Sequence, residues 1–185
     1  MTTITSSSSQ VQHRRLALLG VFGFALALAG AAQVAVPIPG TAVPFTLQPL
    51  VVVLAGLMLG PAFGAASMLL YLAAGAAGLP VFAPMGAPGI ARFLGPTGGY
   101  LIAFPAAAFV AGYVSSRRTT LLGRWGAALL GMVVIFVGGI AQLSILSGGI
   151  GPAVALGVTP FAVLDIFKAF LAAVIARPRI RSARD

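Results

Sequence analysis

The sequence predicts an all-α membrane protein: six helices crossing the bilayer, with both chain termini in the cytoplasm. Three observations lead there. Of the 185 residues, 59% are hydrophobic and 7% charged, against the roughly 25% charged residues with which a soluble domain covers its surface. Apolar runs recur between Pro- and Gly-rich breaks, and because a crossing helix needs about 20 apolar residues, roughly six fit between the tails. Nine of the eleven basic residues fall in segments that alternating topology puts on one face of the membrane, as the positive-inside rule describes.

The same distribution bears on the net charge of +9. Basic residues scattered between and beyond apolar runs orient a membrane protein, whereas a nucleic-acid binder gathers them into one patch. No nucleic-acid partner is expected. The chain has no cysteine, which excludes disulfides, thiolate zinc sites and thiol catalysis. Residues 1–15, MTTITSSSSQVQHRR, are too polar to order themselves and are expected to form a disordered tail. Residues 16–176 make the membrane domain, and 177–185 a basic cytoplasmic tail. The first apolar run exceeds the core of a signal peptide and more spans follow, so a retained helix is expected.

Span one runs from Leu16 to Val36 and stops at Pro37 and Pro39, which remove backbone donors and force the chain out of helix. The connection VPIPGTAVPFTLQP carries no charge, which suggests a loop folded back against the bundle. Span two continues from near Thr46 to Gly60. Pro61 suits the first turn of span three, which runs from Phe63 to about Gly78. Each is short: 15 residues cover about 22 Å of a ~30 Å hydrocarbon core, so both should tilt little or be shielded by neighbours.

Leu79 to Thr97 holds four of the thirteen prolines and is expected to be a structured loop. Span four is Gly98 to Val114, followed by Arg117, Arg118 and Arg124. Span five is Trp125 to about Leu146, with Trp125 at the membrane interface. A turn, SGGIGP, leads to span six, Thr159 to Ala176, with Thr159 as N-cap and Pro160 in the first helical position. Leu59-Gly60-Pro61 and Leu94-Gly95-Pro96 echo each other; the echo reads as two Gly-Pro helix starts, an inverted repeat being the alternative.

Outside the tails and the four-to-five loop, the acids and bases are Arg92, Asp165 and Lys168. A charge near the bilayer centre costs about 2.5 to 3.5 kcal/mol on insertion scales and is normally retained for function. Asp165 and Lys168 are spaced i and i+3 on one helix face, so they either neutralise each other or meet a polar ligand from outside. The second reading explains why so uncharged a chain keeps the pair, since apolar replacement of a buried pair is often neutral or stabilising. Arg92 is either a solvated loop residue or, over a cavity, a guanidinium suited to a carboxylate or phosphate. Tyr71 and Tyr100 line the same cavity, pack the bundle or anchor at the membrane interface, and Gln48 adds a neutral hydrogen-bonding group near the same face. The small residues Ala25 and Ala29, like Ala27 and Ala31, allow close helix approach, either within the bundle or against another membrane subunit. HExxH and GxxxxGK[ST] motifs are absent, so metal hydrolysis and ATP turnover are not expected.

Taken in order, VPxP, PFTLQP at Pro44–Pro49, LGPAFG at Leu59–Gly64, YLAAGAAGLPVF at Tyr71–Phe82, GPTGGY at Gly95–Tyr100 and DIFK at Asp165–Lys168 resemble the BioY family. Those proteins are biotin-specific S components of energy-coupling-factor (ECF) transporters. The resemblance implies the six-helix S-component fold in the inner (cytoplasmic) membrane, high-affinity biotin binding from outside, no enzyme activity and no cofactor. It also implies partners: a coupling protein of the EcfT or BioN type and an ATPase pair of the EcfA or BioM type. Ala25 and Ala29 on the first helix are the choice for the coupling face. For biotin, Asp165 would accept from the ureido N–H groups in charge-assisted bonds. Arg92 or Lys168 would hold the valerate carboxylate, and Tyr71 and Phe82 would supply apolar walls.

Overall fold

The computed structural model describes residues 5–118 and 120–176, with the backbone alone for residues 5–14. Residues 1–4, 119 and 177–185, including the whole of the expected C-terminal tail and its four arginines, lie outside the described residues. Helix α1 spans Thr5–Gln33, so its backbone begins well inside the stretch expected to be a tail. The apolar run nucleates a helix that continues backwards through Ser, Gln and Arg positions, none of which is Pro or Gly.

Two short strands follow, β1 at Ala35–Val36 and β2 at Phe45–Thr46, antiparallel with Ala35 opposite Thr46. The hairpin folds against the bundle with Val43 and Thr46 buried, as the lack of charge in this loop suggested. Helix α2 is Gln48–Leu59 and α3 is Pro61–Ala76, with Pro61 in the first turn. Next come a 3-10 turn at Gly89–Leu94 inside the proline-rich loop, α4 at Gly98–Ser115, α5 at Leu121–Ser147, α6 at Ile150–Gly157 and α7 at Ala162–Ile175.

Four of these predicted boundaries need correction. Helix α1 stops at Gln33, three residues short of the expected Val36, and Ala35 and Val36 pair as a strand instead. Helix α5 begins four residues before Trp125, because the Thr120 hydroxyl caps it by accepting from the Gly123 amide at 3.1 Å. The supposed turn after α5 contains α6, whose Gly and Pro composition hid a two-turn helix. Thr159 caps nothing: its hydroxyl donates to the Val154 carbonyl at 3.2 Å, closing the end of α6, and α7 starts three residues later. Each Leu-Gly-Pro precedes a helix, α3 at Pro61 and α4 at Gly98, but the two breaks differ in backbone, with Gly60 at φ +84° and Gly95 at φ −85°.

Among the described residues, α1 from Arg15, α4 and α5 are each long and apolar enough to cross a bilayer; α6 and α7, bent by 57°, together make a fourth candidate. Helices α2 and α3 are apolar but shorter. Helix α4 occupies the centre, packed on α2, α3 and α5, while α1 covers α2 and α3 and α7 covers α2 and α5. Apolar solvent gives no drive to join helices in a membrane, so backbone proximity and packing must do it. Glycine supplies the proximity. A Cβ on Gly56 would lie 2.2 Å from the Ala108 carbonyl oxygen, one on Gly112 would lie 2.6 Å from the Gly60 carbonyl carbon, and one on Gly64 would lie 2.9 Å from the Gly56 Cα.

Gly56→Ala is therefore expected to overpack the α2–α4 contact at a cost of about 2 kcal/mol, lowering the thermal midpoint by about 6 °C. Gly23 has open space where a Cβ would go, so Gly23→Ala should leave the midpoint in place. A detergent thermal scan of both variants checks the pair.

Candidate ligand-binding site

At the end of α4 farthest from the arginine-bearing α4–α5 connection, the hairpin and the loop 79–97 close over the bundle. Beneath them is a hollow of about 60 Å³. Its polar lining comes from Thr46, Gln48, Arg92, Thr97 and Tyr100; Phe82, Leu101, Phe104 and Ile135 are among its apolar walls.

Local sequence fixes each polar group. In Thr46-Leu47-Gln48 the Thr46 hydroxyl accepts from the Gln48 amide N–H and donates to Gln48 Oε1, both at 3.3 Å. The Gln48 side chain is thereby turned so that its Nε2 donates to the Tyr71 hydroxyl at 2.9 Å. Tyr71 is fully buried behind the hollow and meets the Phe82 ring edge-on at 5.5 Å, and Phe82 meets Phe93 in the same way at 5.7 Å. Gly75 makes this possible, since a Cβ there would fall 2.1 Å from Phe82 Cζ. The Tyr100 hydroxyl donates to the Gly157 carbonyl at 2.9 Å and ties α4 to α6.

Arg92 is not a solvated loop arginine, for it is only 5% exposed. Its two terminal nitrogens donate to the Met85 and Ala83 carbonyls, and its carbon lies 5.9 Å from the Phe82 ring centre. Gly86, at φ +112°, carries the chain past the guanidinium where a Cβ would collide with Nη1. Arg92 lines the hollow, and its buried Nε has no hydrogen-bond partner among the described residues. Burial holds this guanidinium's pKa below the usual arginine value, yet arginine starts so high that it keeps its charge.

Asp165 and Lys168 form an ion pair at 2.7 Å, each residue 5% exposed. Lys168 Nζ also donates to the Thr46 carbonyl at 2.7 Å and sits 3.9 Å from the Phe45 ring centre. Neither residue lines the hollow. They stand one residue behind it, joined through Thr46 to the Gln48–Tyr71 chain of hydrogen bonds. The structure thus brings Gln48, Phe82, Arg92 and Tyr100 to the hollow and sets Tyr71, Asp165 and Lys168 behind it.

Ala25 and Ala29 are elsewhere. Ala25 is buried in the core and Ala29 is half-buried against it; Val21, Ala25, Leu28 and Ala32 make one inward stripe. Sequence reasoning did not single out Thr46 and Thr97, although TLQ and GPTGGY contain them. It also passed over Gln142, which bonds the covering loop from α5.

These features define a multi-pass membrane protein whose apolar helices enclose a small, mostly apolar cavity with a few fixed polar groups, the usual make-up of a small-molecule site. The chain belongs to the BioY family, whose family model matches residues 4–185. The chain is 45% identical over 134 residues to a probable biotin transporter BioY of Pyrococcus horikoshii, covering 72% of this chain and 78% of that one. To the biotin transporter BioY of Thermotoga maritima it is 36% identical over 163 residues, covering 88% and 94%. Among solved structures, it matches the S component for biotin from an ECF-type ABC transporter with a TM-score of 0.80 at 26% identity, covering 96% of this chain and 93% of that one. The S-component fold implied by the sequence motifs is the fold of this chain.

Proposed function

We propose that this protein is the biotin-binding S component of an ECF-type transporter, a membrane receptor that holds the vitamin and relies on partners for energy. The observation that carries the reading is Arg92: a buried guanidinium with an unpartnered Nε, on a residue that lines a mostly apolar hollow whose other polar groups, from Thr46, Gln48, Thr97 and Tyr100, are all neutral, in a chain of the BioY family. Biotin has the complementary shape of charge, with one carboxylate, one neutral ureido ring and an apolar body.

In this reading Arg92 takes the valerate carboxylate, Phe82 and Tyr100 flank the rings, and Gln48 meets the ureido group. Asp165 accepts from the ureido N–H groups once the ligand displaces Thr46, and Lys168 and Tyr71 support that end. The hollow is smaller than the roughly 300 Å³ of a usual small-molecule site, so the loop 79–97 lifts to admit the ligand.

The working assembly has six spans in the inner (cytoplasmic) membrane, with α6 and α7 as one broken crossing, both termini cytoplasmic and the hollow outward. The arginines of the α4–α5 connection then face the cytoplasm, as the positive-inside rule requires. A coupling protein of the EcfT or BioN type docks along α1, where Ala29 is the more accessible of the two expected alanines. An EcfA or BioM type ATPase pair supplies the energy. The chain's own role is binding and delivery without catalysis.

Purified protein in detergent, titrated without ATP, is expected to bind biotin in preference to thiamine and riboflavin. Tighter binding of either other vitamin would overturn the biotin reading while leaving the fold assignment intact.

A further inference from the structure

The loop over the hollow is held by a side chain that does not line it. Gln142, near the end of the 27-residue α5, donates both hydrogens of its Nε2 amide: one to the Phe93 carbonyl at 2.7 Å and one to the Gly95 carbonyl at 2.8 Å. Those carbonyls belong to the last part of the 3-10 turn and its cap, and the Gly95 amide donates to the Arg92 carbonyl at 3.2 Å. The backbone on which Arg92 stands is therefore anchored to a rigid helix.

The neighbouring sequence is shaped around this anchor. A Cβ on Gly98 would fall 2.1 Å from the Phe93 carbonyl oxygen and 2.8 Å from Gln142 Nε2, and one on Gly99 would fall 2.8 Å from Gln142 Cβ. The glycine pair of GPTGGY thus opens the space in which the amide works. Phe93, held by the same bond, passes the constraint to Phe82 at the wall of the hollow.

We propose that Gln142 is a positioning residue for carboxylate recognition: by fixing the Phe93 and Gly95 carbonyls it aims the Arg92 guanidinium at the ligand. This rests on the reading of Arg92 as the carboxylate partner. An arginine with three hydrogen-bonding nitrogens and two of them already committed to loop carbonyls has little angular freedom for its third donor. A small turn of the backbone would misdirect it, because hydrogen bonds weaken steeply as they bend.

The test compares biotin with biotin methyl ester, which keeps the rings and loses the charge. Gln142→Leu and, as a second variant of different shape, Gln142→Met remove both donors and keep most of the volume. In the unsubstituted protein biotin should bind more tightly than its ester. In either variant biotin should weaken by about tenfold, one charge-assisted hydrogen bond lost or bent, while the ester keeps its affinity and so reports that the protein is folded. Equal weakening of both ligands would show a merely structural role and overturn the proposal, as would an undiminished preference for the acid. If the unsubstituted protein itself fails to prefer biotin over the ester, the reading of Arg92 falls first, and this inference with it.

Discussion

Replacing Lys168 by Met is expected to destabilise the protein by about 3 to 5 kcal/mol, the usual cost of leaving one member of a buried ion pair alone. In this chain the penalty has two further sources. Lys168 Nζ supplies the hydrogen bond to the Thr46 carbonyl and the cation over the Phe45 ring, and these join α7 to the hairpin that closes the hollow. The expected drop in thermal midpoint is about 10 °C or more, read by a detergent thermal scan. The double variant Asp165→Leu with Lys168→Met should recover the part of that loss due to the stranded carboxylate, because two apolar groups replace the pair, while the bond to Thr46 and the contact with Phe45 stay lost. Binding separates the structural from the functional part. Asp165→Ala is expected to weaken biotin at least tenfold, which equals about 1.4 kcal/mol; unchanged affinity in a folded variant would remove the carboxylate from the site.

Arg92→Ala is expected to lower biotin affinity by about 30-fold or more, the range for removing one partner of a buried, hydrogen-bonded charge pair. The side chain holds two loop carbonyls and, in the proposed complex, the carboxylate. Its loss therefore removes both the ligand's counter-charge and the pin through the loop. Arg92→Lys should restore only part of the affinity, because a single ammonium on a flexible stem cannot reproduce a planar fork. Isothermal titration of both variants with biotin and its methyl ester checks this. Arg92→Ala that still binds the two ligands as the unsubstituted protein does would sink the assignment.

Some elements were plain in the chain because the residues that make them are local. Pro61 and the four prolines of the 79–97 loop mark breaks that the backbone obeys, whereas α1 stops at Gln33, ahead of Pro37. The α4 boundaries follow from GPTGGY at one end and arginines at the other. The short length of α2 and α3 was legible as a count of residues between breaks. Helix α6 was not, because Gly149, Gly151 and Pro152 read as a turn, although Pro in the first turn of a helix costs nothing.

At the site, the residue types were legible and their arrangement was not. Gln48, Phe82, Arg92 and Tyr100 were all expected near one cavity and all line it. The sequence leaves open whether Ala25 packs inward, since Ala and Gly are so numerous along α1 that periodicity offers no contrast. Gln142 went unremarked because its partners lie 49 and 47 positions away. Lys168 likewise reaches a carbonyl 122 positions earlier, a contact that no local pattern encodes.

Composition and break positions by themselves determined that this chain lives in a bilayer as helices. Hydrocarbon leaves the backbone only helices or closed barrels, and long continuous apolar runs suit helices while barrel strands alternate polar and apolar residues. Tertiary structure alone decided which glycine faces meet, that Asp165 and Lys168 stand behind the hollow, and that Arg92 turns into its own loop. Those outcomes depend on close packing and on hydrogen bonds between distant segments, and neither is set until the helices have come together.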